Sequence, residues 1–135
     1  MITSKRSEIK HILLKNKPKV AVLGGGSWAT ALIKILIENK RNVGWYVRSE
    51  KNKNFIEKNQ NNPNYLTSTT LKTKRLKIST DMNSVVERAD IIIVAIPSAF
   101  IMDEFAKLHI PLMDKIIVSA VKGVLPENMK IPGTY

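Results

Sequence analysis

The sequence predicts a doubly wound α/β fold, with a mostly parallel sheet and flanking helices. Three observations carry that expectation. Short Val- and Ile-rich runs alternate with longer amphipathic segments along the chain. The apolar runs are continuous rather than alternating, as strands covered on both faces require. The first of them breaks on three consecutive glycines, after which helix-forming sequence resumes.

Residues 1–18 read as a basic lead and Lys19 to Gly24, KVAVLG, as the first strand. SWATALIKILIENK follows as a helix. Trp28, Leu32, Ile35 and Leu36 form one apolar row on it and Ala29, Ile33 and Ile37 a second, a stripe wide enough to pack on a sheet. Asn39 and Lys40 suit its C-terminus. VGWYV, Val43 to Val47, is the second strand by its β-branched and aromatic content. From Ser49 to Lys74 the chain turns polar, with EKNKNFIEKNQ as a short helix and NNPNYLTSTT as a loop. RLKIST is a third strand, and Thr80 or Asp81 N-caps a helix that offers Met82, Val85 and Val86 to the core. IIIVAIPS is a strand ended by Pro97, AFIMDEFAKL a helix, and KIIVSAVKG a further buried strand. The tail, VLPENMKIPGTY, has no periodicity.

A chain of 135 residues suits one core, since domains cluster around ~100–150 residues. The net charge of +11 would ordinarily suggest a polyanionic partner. However, it comes from 17 Lys against 5 Arg, spread among 11 Asn and 17 Ile. That pattern reads as a bias toward AT-rich codons, and the scarce cation is Arg, the residue suited to planar phosphate recognition. No nucleic-acid partner is therefore expected. Cysteine is absent, which excludes disulfides and Cys-based metal sites. No apolar run reaches the length of a signal-peptide core or of a membrane span. A soluble cytoplasmic protein is expected, without membrane insertion. His11 and His109 are far apart and lack clustered carboxylates, so no metal site is expected. Asp103 and Glu104 read as a solvated helix face. Ser98, in IPSAF, does not sit in a G-x-S-x-G elbow.

The glycine turn carries the chemistry. Gly24, Gly26 and Ala29 fit G-x-G-x-x-[GA] directly after a strand and at the start of a helix. Gly24 permits the tight turn, Gly26 lets backbone approach a pyrophosphate, and Ala29 allows close packing of helix on strand. The helix start presents free N–H groups and positive partial charge to phosphate. No G-x-x-x-x-G-K-[ST] is present, so a P-loop is excluded. At the end of the second strand Arg48 stands where a site strict for NAD usually places an acid. A guanidinium there suits adenine stacking and a 2′-phosphate, while Glu50 is near enough to reach a ribose. With strand order 3-2-1-4-5, the glycine turn, the Pro97 segment and Lys122–Gly123 meet at the point where the winding reverses.

VAVLGGGSWATAL, VGWYVRSE, NNPNYL, AIPSAF and SAVKG follow one another in an order and spacing that resembles the N-terminal, Rossmann-type domain of bacterial NAD(P)-dependent glycerol-3-phosphate dehydrogenases, from Lys19 to Pro126. The resemblance implies residues 19–126 as the NAD(P)-binding domain and residues 127–135 as the start of a link to a C-terminal helical domain. It implies cofactor contacts from Gly24, Gly26, Ser27, Trp28, Arg48, Tyr65, Pro97, Phe100 and Lys122, with Lys122 also facing substrate. Thr67 stands where that family usually has Pro. The family's catalytic Lys lies beyond Tyr135, so the resemblance implies a fragment that binds NAD or NADP without catalysing alone. With the helical domain, and as a homodimer when full length, the enzyme would reduce dihydroxyacetone phosphate to sn-glycerol 3-phosphate. The alternative is a non-catalytic dinucleotide-sensing or interaction module of the same fold.

Overall fold

A computed structural model of the chain describes residues 17–120. Five strands form one sheet: β1 (Val20–Leu23), β2 (Val43–Tyr46), β3 (Leu76–Ser79), β4 (Ile91–Val94) and β5 (Ile116–Ser119). Every neighbouring pair is parallel and the order is β3-β2-β1-β4-β5, as the sequence predicts. Val20 stands opposite Val43 on one side and Ile91 on the other. Among the described residues four helices flank the sheet: α1 (Ser27–Glu38), α2 (Glu50–Asn59), α3 (Met82–Arg88) and α4 (Ile101–Phe105).

Because successive strand residues point to opposite faces, the central strand supplies two cores. Ala21 and Leu23 face Met82, Val85, Val86 and Ile101, beneath α3 and α4. Val22 faces Ala29, Ile33, Ile37 and Ile56, beneath α1 and α2. Asp81 is the N-cap of α3, accepting the Asn83 N–H at 3.1 Å. Its C-terminal end is closed by Lys115, which is buried and whose Nζ donates to the Ala89 carbonyl at 2.7 Å.

Three expectations are corrected. The buried row of α1 is Ala29, Thr30, Ile33 and Ile37, whereas Trp28 and Ile35 are 56% and 57% exposed. A stripe drawn through every apolar position overestimates what one sheet face can cover. The sequence predicts a buried fifth strand, but Ile117 and Val118 are 38% and 44% exposed, because β5 is a sheet edge. The helix after Pro97 is also shorter than its apolar spacing suggests: a 3-10 turn, Ser98–Phe100, precedes a five-residue α4.

Candidate functional site: a dinucleotide crevice

The turn after β1 is held from both sides. Gly24 has φ +126°, and a Cβ there would lie 2.5 Å from the Ala95 carbonyl oxygen. Its N–H donates to the Tyr46 carbonyl at 3.0 Å, and its carbonyl accepts the Trp45 indole N–H at 2.5 Å. Trp45 is fully buried, so β2 contributes a side-chain anchor as well as a strand edge. Gly26 is the N-cap of α1 and offers no side-chain cap; a Cβ built on it would meet nothing within 4 Å. The Thr30 N–H and hydroxyl both return to the Gly26 carbonyl, at 3.0 and 2.7 Å. The first turn of α1 thus receives no side-chain cap, and no acidic residue stands in it to compete for an anion. Together with the helix dipole this makes an anion site.

The turn opens into a cavity of about 230 Å3 at the carboxyl ends of the strands. Asn62, only 2% exposed, joins the far loop to the turn. Its amide donates to the Gly25 carbonyl at 3.1 Å and to Thr30 Oγ1 at 2.9 Å, while its Oδ1 accepts the N–H groups of Asn64 and Tyr65 at 2.9 and 3.2 Å. One buried amide thus sets where Tyr65 stands. The Ser49 side chain, the N-cap of α2, accepts the Asn52 N–H at 3.2 Å on the adjoining wall.

Opposite, Arg48 lies over the Phe100 ring at 5.6 Å, a cation–π distance, with its Nε 3.8 Å from Glu104 Oε1. Glu104 is not the solvated residue expected from the sequence. It is buried at 3% exposure, accepts the Tyr46 hydroxyl, and lies 3.4 Å from Lys107 Nζ. Asp103, its neighbour, is exposed as expected. On a five-residue helix the rotation that turns Ile101 into the core also turns the residue three positions on inward. Here that residue is a carboxylate, and it finds three partners. Burial, followed by the hydrogen bond to Glu104 and the charge of that carboxylate, holds the Tyr46 hydroxyl well above its ordinary pKa, with Arg48 opposing.

Of the residues singled out in the sequence, Gly24, Gly26, Arg48, Tyr65, Pro97 and Phe100 line this one cavity. Ser27 and Trp28 begin α1 beside it without lining it, and Lys122 lies outside the described residues. Sequence reasoning missed Asn62, Tyr46 and Glu104. The Asn run carries no periodic signal, and Glu104 looked polar and therefore external. Among the described residues no His, Cys, Asp or Glu cluster could hold a metal, and no helix is long and apolar enough to cross a membrane.

A glycine turn between β1 and an uncapped helix, at the switch point of a parallel sheet, defines a dinucleotide-binding domain of the Rossmann type. Residues 19–133 match the family described as NAD-dependent glycerol-3-phosphate dehydrogenase N-terminus, and the chain belongs to it. Glycerol-3-phosphate dehydrogenase (NAD(P)+) of Lysinibacillus sphaericus is 35% identical over 114 residues, covering 83% of this chain and 33% of the relative. The enzyme of the same name from Pseudomonas syringae pv. syringae is 32% identical over 112 residues, with the same coverage. The solved structure of a glycerol-3-phosphate dehydrogenase from Saccharomyces cerevisiae superposes with a TM-score of 0.70 at 25% identity, covering 86% of this chain and 37% of that one. The chain therefore spans about a third of the length of the curated relatives it matches.

Proposed function

We propose that residues 19–126 are the cofactor domain of an sn-glycerol-3-phosphate dehydrogenase, preceded by a basic lead at 1–18 and followed from 127 by a link to a helical domain. The observation that carries the cofactor assignment is the uncapped N-terminus of α1, open beside Gly26 onto the cavity that Arg48 and Pro97 also line. A pyrophosphate fits there because its charge meets the positive N-terminal end of α1 at close range, with no Cβ in the way. Gly24 and Gly26 shape that cradle, and Ser27 and Trp28 supply its first N–H groups. Arg48, braced by Phe100, receives the adenosine end and any 2′-phosphate, so both NAD and NADP are accommodated. Tyr65 closes the loop side and Pro97 the nicotinamide side, while Phe100 contacts the cofactor beside Arg48.

When bound, the cofactor supplies the hydride that reduces a ketone to a secondary alcohol. In the full-length enzyme the substrate is dihydroxyacetone phosphate, the product is sn-glycerol 3-phosphate for glycerophospholipid synthesis, and the oxygen takes up a proton. Lys122 assists in holding the phosphorylated substrate, while the catalytic Lys comes from the helical domain beyond Tyr135. The setting is the cytoplasm and the full-length form is a homodimer. The relatives' names and the matching family support the dehydrogenase assignment.

The test is a fluorescence titration with NADH and with NADPH. Saturable binding of at least one is expected, and Arg48→Ala weakens NADPH more than NADH. Absence of binding to both cofactors overturns the assignment. Dihydroxyacetone phosphate reduction is expected only from a chain that also carries the helical domain.

A further inference from the structure

A second cavity, about 450 Å3 and roomier than the dinucleotide crevice, lies at the other end of the sheet. It is bounded by the amino ends of β1, β2 and β3, the loop after α1 and one side of α3. Among the described residues five lysines and three arginines line it, and no Asp or Glu does. Among the described residues none of the eight cations forms an ion pair. Glu87 precedes Arg88 in the chain, and Asp90, which follows Ala89, accepts the Lys19 backbone N–H at 2.9 Å. Arg75 has a neutral partner, Asn42 Oδ1, at 3.5 Å. The floor is apolar, formed by Val20, Val43, Val85 and Ala89.

The lysine bias of the sequence explains lysines anywhere on this surface. It does not explain arginine. The described residues contain four arginines; Arg48 lines the dinucleotide cavity, and Arg41, Arg75 and Arg88 all line this cleft. The scarce cation with the planar, bidentate fork for phosphate oxygens is thus concentrated in the two cavities. The cleft volume lies in the range of small-molecule sites, about 300–1,000 Å3. The eight positive charges that the described lining carries greatly exceed what one phosphate, at about −1.5 to −2, would neutralise.

We propose that this cleft is a second binding site, for a small anion carrying two or more phosphate groups, remote from the dinucleotide crevice and independent of it. The arginines clamp the phosphates and the lysines supply the surrounding field. The apolar floor accommodates an organic portion where the ligand has one.

The test is calorimetric titration of the whole chain with inorganic tripolyphosphate and, separately, with ATP, at near-physiological salt and with NADH present to occupy the other cavity. One saturable site is expected. Arg75→Gln/Arg88→Gln weakens it at least tenfold, leaving the melting curve without ligand and the NADH titration unchanged. Lys74→Gln/Lys77→Gln, a second pair on the rim, weakens it less. Tighter binding of tripolyphosphate points to an inorganic source, and tighter binding of ATP to a nucleotide. The proposal is overturned by failure of both anions to bind saturably, by binding indifferent to the arginine substitutions, or by preferential binding of duplex DNA or anionic vesicles.

Discussion

Replacing Gly24 by Ala separates what the glycine turn does for the fold from what it does for a ligand. At φ +126° an L-residue is in a region essentially reserved for glycine, which costs about 1–3 kcal/mol. The added Cβ would also lie 2.5 Å from the Ala95 carbonyl oxygen and 2.8 Å from its carbon, both backbone atoms that cannot swing aside. Relief requires β4 to part from β1 where the Ala95 N–H meets the Leu23 carbonyl at 2.8 Å. Overpacking of that kind adds about 1–3 kcal/mol. The sum, about 2–6 kcal/mol, is a large fraction of the 5–15 kcal/mol that holds a typical domain. For a domain of this size it lowers Tm by roughly 10–40 °C. Gly26→Ala is the control: its φ is −85° and its Cβ meets nothing within 4 Å, so the fold should stay within about 1 kcal/mol of the parent. Its cofactor affinity should nevertheless fall tenfold or more, because the methyl group occupies the approach to the helix N-terminus. Urea unfolding and NADH titration of both variants read these outcomes. Parental stability in Gly24→Ala, or undiminished NADH binding in Gly26→Ala, would refute the reasoning.

Three further outcomes follow from the site. Asn62→Ala removes four hydrogen bonds made by one buried amide and should cost about 2–4 kcal/mol in urea unfolding, with early hydrogen exchange in the 61–70 loop; a loss below about 1 kcal/mol would sink the anchoring role. The Tyr46 hydroxyl has a raised folded pKa, so above pH 10 the unfolded chain gives up that proton while the folded chain keeps it. Its contribution is complete below pH 10 and is lost as pH rises beyond it, at up to about 1.4 kcal/mol per pH unit. Tyr46→Phe should remove that part of the slope in parallel denaturation series, and identical slopes would contradict it. Glu104→Gln keeps an acceptor for Tyr46 but frees Arg48 from its counter-charge 3.8 Å away. The NADPH to NADH affinity ratio should then rise about 2–5-fold, the size of an exposed ion pair. An unchanged ratio would show that Glu104 does not govern Arg48.

The layout of the fold was legible because it rests on local signals. Continuous apolar runs mark strands buried on both faces, and the glycine turn, the Asp81 cap and Pro97 punctuate them. Parallel neighbours then leave one sensible winding. Those same signals brought Gly24, Gly26, Arg48 and Pro97 to one crevice, since every strand end in a parallel sheet points the same way, whereas Tyr65 and Phe100 were legible only through the family resemblance. Burial of individual side chains was less legible. Trp28 and Ile35 lie outside the row that the sheet can cover, Ile117 and Val118 sit on an edge, and Glu104 is turned inward by a helix of five residues.

The sequence by itself determined the order of elements, the phosphate-facing turn and the arginine at the end of β2, because spacing along the chain is enough to specify them. Only the tertiary structure decided that Asn62 ties a remote loop to that turn and that Glu104 underlies Arg48. It alone gathered Arg41, Arg75 and Arg88 into one cleft. The physical reason is that these contacts join residues far apart in the chain. Their partners are chosen by how the layers pack, and no local pattern records that choice.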